Sequence, residues 1–309
     1  MFYMNFIQKF GYIIFITLVL SPSSYAIVIC TAANSAYFPH VISLIGSIHK
    51  INFNELQEIM VFDLGLQKSE IKRLNSIKKV HVYSVQKTHP AILDFAQAPQ
   101  GYRSLGWFAW KPVVIKQTLD KYEHALWLDA GSTVLKSLTP IFDHLKKEGS
   151  FICIIGDEKI GNKWKHPVSW GTTKFIRDKY KLDTPENCWI LDQEFIAGGI
   201  IGASRDHETY DNFFLPLYES TFDIRNFEDD GSPSGLGRHD QTVMSFLVYQ
   251  QNLKFFQQDY TQQKPMVVAG HEINATWNAQ YINENTTIYS SRNNLFALDN
   301  FEKYLQYRQ

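Results

Sequence analysis

The chain has 309 residues, 45% of them hydrophobic and 20% charged, which is ordinary globular composition and enough length to bury a sizeable core. Lys and Arg number 30 against 31 Asp and Glu, a formal net charge of -1, so there is no basic footprint of the kind that neutralises a nucleic-acid backbone. Nucleic-acid partners are disfavoured, and three cysteines, Cys30, Cys153 and Cys188, show neither CxxC nor metal-ligand spacing.

Residues 1–26 read as a signal peptide or short signal anchor. Lys9 precedes an apolar run from Gly11 to Leu20, and Ser24 and Ala26 give the small-x-small spacing of a processing site. The run is about half of the ~20 residues that span hydrocarbon. No Lys or Arg follows until Lys50, so the positive-inside bias carries the rest of the chain across the membrane. The expectation is an exported protein: in the ER or Golgi lumen or secreted if eukaryotic, periplasmic or secreted if bacterial. Membrane association would come only through this segment, if uncleaved. Residues 27–309 show no repeat and no long linker, so they are expected to form one domain.

The β-branched run Ile27–Ala32 is a strand that ends in small polar residues, Thr31 to Asn34, and the apolar periodicity from Tyr37 to Ile48 predicts a helix. Glu58–Leu64 is a second strand, Ser69–Ile77 a helix with Lys72 and Arg73 on its polar side, and Lys79–Val85 a third strand. Periodicity is lost between His89 and Gly106. Pro112 then marks the start of a helix that runs to about Tyr122. His124–Leu128 is a fourth strand, followed by Asp129 and three small residues, with Thr133 to Leu135 extended toward Thr139 and Pro140. Phe151–Ile155 is a fifth, ending at Gly156 and Asp157. Ile190–Ala203 reads as a buried strand interrupted by Gly198 and Gly199, and glycines there signal a bulge or a close approach by a ligand. Residues 229–237 form a loop into a helix from His239 to about Gln251, and a short polar helix near Asn300–Tyr307 ends the chain. Strands alternating with helices predict an α/β domain with a mainly parallel central sheet.

In such a sheet the carboxyl ends of the strands share one edge, where ligands bind. Thr31 to Asn34, Asp129, Asp157 and the run Arg238-His239-Asp240-Gln241 at a helix start all fall at that edge. Each has a plain structural alternative. Asp129 can cap a turn, Asp240 can complement a helix dipole, and Lys111 can be a solvated charge in a first helical turn. The absence of GxGxxG and GxxxxGK[ST] argues against an unrelated Rossmann or P-loop enzyme.

The order of these features resembles the GT-A-fold glycosyltransferases that use nucleotide-sugar donors, especially the glycogenin-like and lipopolysaccharide-galactosyltransferase-like families. The resemblance spans Ile27 to about Asn278. It rests on the ICTAAN strand end, WKP leading a helix into LWLDAG, the later IAGGIIG strand, HDQ opening a helix, and the late GHEINATWN segment. It implies a single GT-A-like domain with a Rossmann-like nucleotide-binding half and an acceptor half. The implied activity is transfer of a sugar from a UDP- or GDP-type donor to a hydroxyl of a glycan, lipid or protein. The alternative is an exported, non-catalytic glycan- or nucleotide-binding protein on the same fold.

By that resemblance Thr31, Asn34, Arg103, Lys111, Asp129 and Gly131 would bind the donor, Gly198 and Gly199 would line the acceptor side, and Asp240 and Gln241 would lie near the anomeric carbon. The families hold a divalent cation, Mn or Mg, on an Asp-x-Asp motif. Here the motif reads Asp129-Ala130-Gly131, without its second carboxylate, and His271 is the candidate to supplement Asp129 as a metal ligand.

Overall fold

The computed structural model describes residues 26–87, 89–90, 92, 108–154, 159–160, 163–164, 166–227, 239–254, 256–257, 267–269, 282, 284, 286–290 and 299–309. The export segment before residue 26 lies outside these residues, as do Arg103, Asp157 and His271.

Continuous β-branched and apolar runs make the strands, and where both faces are covered every position is buried. The first strand, β1 (Ile27–Ala33), is buried throughout. It is followed by α1 (Phe38–Asn52), β2 (Leu56–Asp63), α2 (Lys68–Ser76), β3 (Val80–Ser84), α3 (Trp110–Leu119) and β4 (His124–Leu128). After β4 come a short β5 (Ser132–Val134), α4 (Thr139–Glu148), β6 (Ser150–Ile154), the hairpin strands β7 (Lys159–Ile160) and β8 (Lys163–Trp164), and α5 (Lys174–Lys179). The remaining elements are β9 (Ile196–Ser204), α6 (Leu215–Glu219), α7 (Asp240–Gln250), β10 (Phe256–Gln257), β11 (Val267–Ala269) and β12 (Ile288–Ser290).

Seven strands form the central sheet in the order β10-β6-β9-β4-β1-β2-β3. All neighbouring pairs are parallel except those of β9, which runs antiparallel to both β4 and β6. The mainly parallel expectation therefore holds. The exception matters, because reversing β9 brings its amino end, with Gly198 and Gly199, beside the carboxyl end of β4. Asp129 N donates to the Gly199 carbonyl at 2.9 Å.

Strand alternation divides the core into two layers. Ile27, Ile29, Ala33, Leu126 and Leu128 face α1 and α4 together with Val41, Ile45, Ile48, Ile141, Phe142 and Leu145. Cys30, Ala32, Ala125 and Trp127 face the other way, toward α3 and α7, with Val113, Ile115, Val243, Met244 and Val248. Helices α3 and α7 are buried on nearly all sides, as expected of helices enclosed by other elements.

Three sequence expectations are revised. The extended reading after Asp129 covers only β5, and the chain then turns into α4, with Pro140 in its first turn and Gly149 at φ 74° closing it. Ile190–Ala203 is not one strand: Cys188–Asp192 is a 3-10 turn, and the polar residues Asp192 to Glu194 separate it from β9. The C-terminal polar helix is one 3-10 turn, Phe301–Tyr304, after which the chain pairs Tyr307 with Ile77. Gly46 makes this docking possible, because a Cβ there would overlap the Phe301 carbonyl. None of the three cysteines forms a disulfide, and burial pushes the Cys30 thiol up to about 12.

Glu58, on β2, is a buried carboxylate with a full set of partners. His81 Nδ1 lies at 2.6 Å, and Tyr83 Oη and Lys121 Nζ each at 2.7 Å, with Tyr122 Oη as a fourth donor. Burial opposes its charge, but the bonds from Lys121, Tyr122, Tyr83 and His81 outweigh it and hold the carboxyl at about 2. A carboxyl whose folded value lies below its unfolded one contributes stability above the unfolded value, about 4.3, and loses it as the pH falls toward 2. Glu58→Gln is therefore expected to lower unfolding free energy by about 2 kcal/mol at neutral pH. Denaturant titrations of both proteins at successive pH values check this, and the gap should narrow below about pH 4.

Candidate active site

Four segments meet at the carboxyl edge of the sheet around the Lys111 side chain. Its Nζ donates to the Gly198 carbonyl at 2.9 Å, lies 3.2 Å from Asp129 Oδ1 and 3.4 Å from Asp240 Oδ2. The ammonium also sits near two aromatic rings, 5.5 Å from the Phe108 centroid and 5.8 Å from that of Trp127. Lys111 belongs to the first turn of α3, where the helix dipole disfavours a cation. The two carboxylates and the carbonyl offset that. Asp240 has the opposite situation: it opens α7, where the dipole favours an anion.

The side chains of Lys111 and Asp240 are 7% and 8% exposed, whereas that of Asp129 is 25% exposed, so Asp129 is the member a ligand can reach. Trp127 Nε1 donates to Asp129 Oδ1 at 3.0 Å and fixes the carboxylate's rotation. Burial pushes the Asp240 carboxyl above its ordinary value, with Lys111 pulling it down and Asp129 adding to the rise. Its Oδ2 makes no hydrogen bond among the described residues.

Helix α7 is held on β9 by hydroxyl and amide bonds. Ser245 Oγ donates to the Gln241 carbonyl at 2.6 Å and accepts from Ile196 N at 2.9 Å. Gln241 Nε2 donates to the Ile196 carbonyl at 3.0 Å, and Thr242 Oγ1 to the Gly171 carbonyl at 3.1 Å. Just before the helix, His239 adopts φ 48° and ψ -123°, a conformation that favours glycine. Its Nδ1 lies 3.0 Å from the Phe227 carbonyl oxygen, and its ring is 5.5 Å from that of Phe108.

The structure thus brings together Lys111, Asp129, Gly198, Asp240 and Gln241 of the residues singled out in the sequence. Gly199 and Gly131 flank Asp129, the first through its carbonyl and the second in the turn closed by Ser132 N donating to the Asp129 carbonyl at 2.9 Å. Asn34 lies at the end of β1, where its Oδ1 accepts from Tyr37 N at 3.2 Å and caps the following turn. Thr31 is fully buried, and alternation along β1 turns it with Ile29 and Ala33 toward α1, away from the Lys111 cluster. Trp127 is not among the residues that the sequence marks for the site. The signal for Trp127 was present, because two residues before Asp129 on a strand means the same face.

A divalent cation between Asp129 and Asp240 would compete for its place with the Lys111 ammonium. The Lys111 ammonium already stands between the two carboxylates, so a cation placed between them would sit within about 4 Å of it. Unit like charges at that separation repel by about 4 kcal/mol at an effective dielectric of 20, and a divalent ion doubles this. Among the described residues no group of three or more His, Cys, Asp and Glu side chains could hold a metal ion. The described residues do not fit a metal between Asp129 and Asp240.

No protein-family model matches the chain, and no curated protein matches it in sequence. Solved structures do. The chain has the GT-A fold of glycosyltransferases. An active-site mutant of LgtC superposes with a TM-score of 0.50 at 12% identity, covering 92% of this chain and 98% of that one. The bifunctional glycosyltransferase WbbM in its apo form gives 0.51 at 13% identity, over 86% of this chain and 45% of that one. The mannosyltransferase Ktr4p from S. cerevisiae, in complex with GDP, gives 0.50 at 9% identity, over 76% and 70%. At these identities the likeness establishes the fold alone.

Two substitutions test the cluster as a unit. A Cβ on Gly198 would lie 2.8 Å from Asp240 Oδ2 and 3.4 Å from Lys111 Nζ. Gly198→Ala is expected to displace Asp240 and cost about 1–3 kcal/mol, read as a lowered melting temperature. Lys111→Met leaves two carboxylates without their counter-ion and is expected to cost roughly 3–5 kcal/mol. Adding Asp240→Asn to it should recover part of that loss in denaturant titrations.

Proposed function

We propose that this protein is a glycosyltransferase that moves a sugar from a nucleotide-sugar donor, UDP- or GDP-type, to a hydroxyl of a glycan, lipid or protein. The observation that carries the reading is the position of the Asp129–Lys111–Asp240 cluster: it lies at the carboxyl edge of a GT-A sheet, beside a strand whose Gly198 leaves the space a side chain would fill. That edge is where open α/β sheets bind ligands.

In this reading Asn34, Asp129 and Gly131 line the donor side and Gly198 and Gly199 the acceptor side. The bond from the anomeric carbon to the diphosphate oxygen breaks, and its electron pair leaves on the diphosphate. A bond from the acceptor oxygen to the anomeric carbon forms, and the acceptor's proton passes to a carboxylate or to the departing diphosphate. In this reading Asp129, the more exposed carboxylate, meets the substrate, and Asp240, whose buried Oδ2 lies 3.4 Å from Lys111 Nζ, acts through that ammonium. Gln241, tied to the Ile196 carbonyl, has its side chain fixed next to Gly198, its Cγ 3.2 Å from the position a Cβ there would take. Export by the N-terminal segment belongs to the same proposal, and in an ER or Golgi lumen it would place the reaction where nucleotide sugars are supplied.

The test is a panel of UDP, GDP and CMP nucleotides and their sugars, read by thermal shift and then by donor hydrolysis and transfer. One nucleotide should stabilise the protein selectively, and Asp129→Asn and Asp240→Asn should each reduce turnover by about a hundredfold or more while circular dichroism stays unchanged. Selective binding without turnover would favour a non-catalytic nucleotide- or glycan-binding protein, and no shift with any donor would remove the transferase reading.

A further inference from the structure

Asp129, Asp240 and the Gly198 carbonyl surround one point with three oxygens, and that point carries the Lys111 ammonium, 3.2, 3.4 and 2.9 Å from them. Two carboxylates and a carbonyl also make a donor set for a hard divalent cation. Here the occupant is covalently part of the chain. Pro112 and the buried first turn of α3 fix where Lys111 starts, and the rings of Phe108 and Trp127 stand near its ammonium. The remaining exposure of the Lys111 side chain is 7%, which leaves little room for a second cation and its water ligands.

We propose that Lys111 holds the cation position of this site, so that the protein binds its nucleoside diphosphate without a divalent cation between Asp129 and Asp240. The nucleotide part rests on the transferase reading, whereas the occupancy of the cation position stands on the geometry alone. An ammonium tethered by its own side chain cannot be chelated or exchanged. It also carries one charge where a divalent ion carries two, so with both carboxylates ionised the cluster keeps one net negative charge.

Two readouts on the full-length protein test this separately. Manganese EPR measures whether the protein takes up Mn²⁺ in the absence of nucleotide. Calorimetry then measures UDP and GDP affinity in EDTA and in millimolar Mn²⁺. If a metal bridged protein and nucleotide, each would tighten the other by the same factor. The wild type is expected to leave Mn²⁺ free and to bind its nucleotide with affinities equal within about twofold in the two buffers. Lys111→Met, which empties the position, is expected to acquire Mn²⁺ binding and to recover melting temperature when Mn²⁺ is added, and a second substitution, Asp129→Asn, should abolish both.

Mn²⁺ uptake by the wild type that is lost in Asp129→Asn would overturn the proposal. So would a tenfold or greater tightening of nucleotide by Mn²⁺, or a folded Lys111→Met that takes up none. If Lys111→Met does not fold, the wild-type measurements decide. If no nucleotide binds in either buffer, the transferase reading fails and the EPR result still decides the cation position.

Discussion

A single buried ammonium organises the carboxyl edge of this protein's sheet. Lys111 starts on α3, the carbonyl it binds is on β9, and its two carboxylates come from the turn after β4 and from the start of α7. These segments are far apart in sequence and have no reason to converge except sheet topology and this charge. Taking ions out of water costs several kcal/mol each, so such a cluster survives only when geometry satisfies it. The rest of the edge is arranged to supply that geometry: Trp127 sets the rotation of Asp129, Ser245 and Gln241 seat α7, and a missing side chain at Gly198 leaves room for Asp240.

The reversed strand β9 is the architectural condition for this. Were it parallel to β4, Gly198 would sit at the opposite edge of the sheet, more than half a strand length from Asp129. Running antiparallel, it pairs Leu128 with Ile200 and hands its first residues to the site. The same reversal gives Gly202 its constraint: a Cβ there would press on Leu145 of α4 at 2.6 Å. One strand thus uses glycine twice, once for a charge cluster and once for a helix.

Much of this was legible in the sequence, and for reasons that can be stated residue by residue. Ile27–Ala33 and His124–Leu128 show as uninterrupted buried runs, and Asp129 and Asp240 show as carboxylates at element boundaries. What sequence could not show was direction. Nothing in the composition of Ile196–Ser204 distinguishes a parallel from an antiparallel strand, and so nothing revealed that Gly198 would face Lys111. Helix α4 is legible too, since Thr139-Pro140, the spacing of Ile141, Phe142 and Leu145, and Gly149 together mark a start, a face and a stop. Lys111 read equally well as a solvated charge, because its burial depends on Asp129, Gly198 and Asp240, which reach it from three separate later elements.

The placement of β9 also has a consequence for how the chain comes into being. Strand β4 is complete at Leu128, but its partner on that side begins only at Ile196, and β6 cannot join the sheet until β9 lies between them. During synthesis at ~5–20 residues per second, the β4 edge waits roughly 3–14 s with its backbone groups available to any passing strand. The β4 edge of the first half is therefore an open template until the second half arrives.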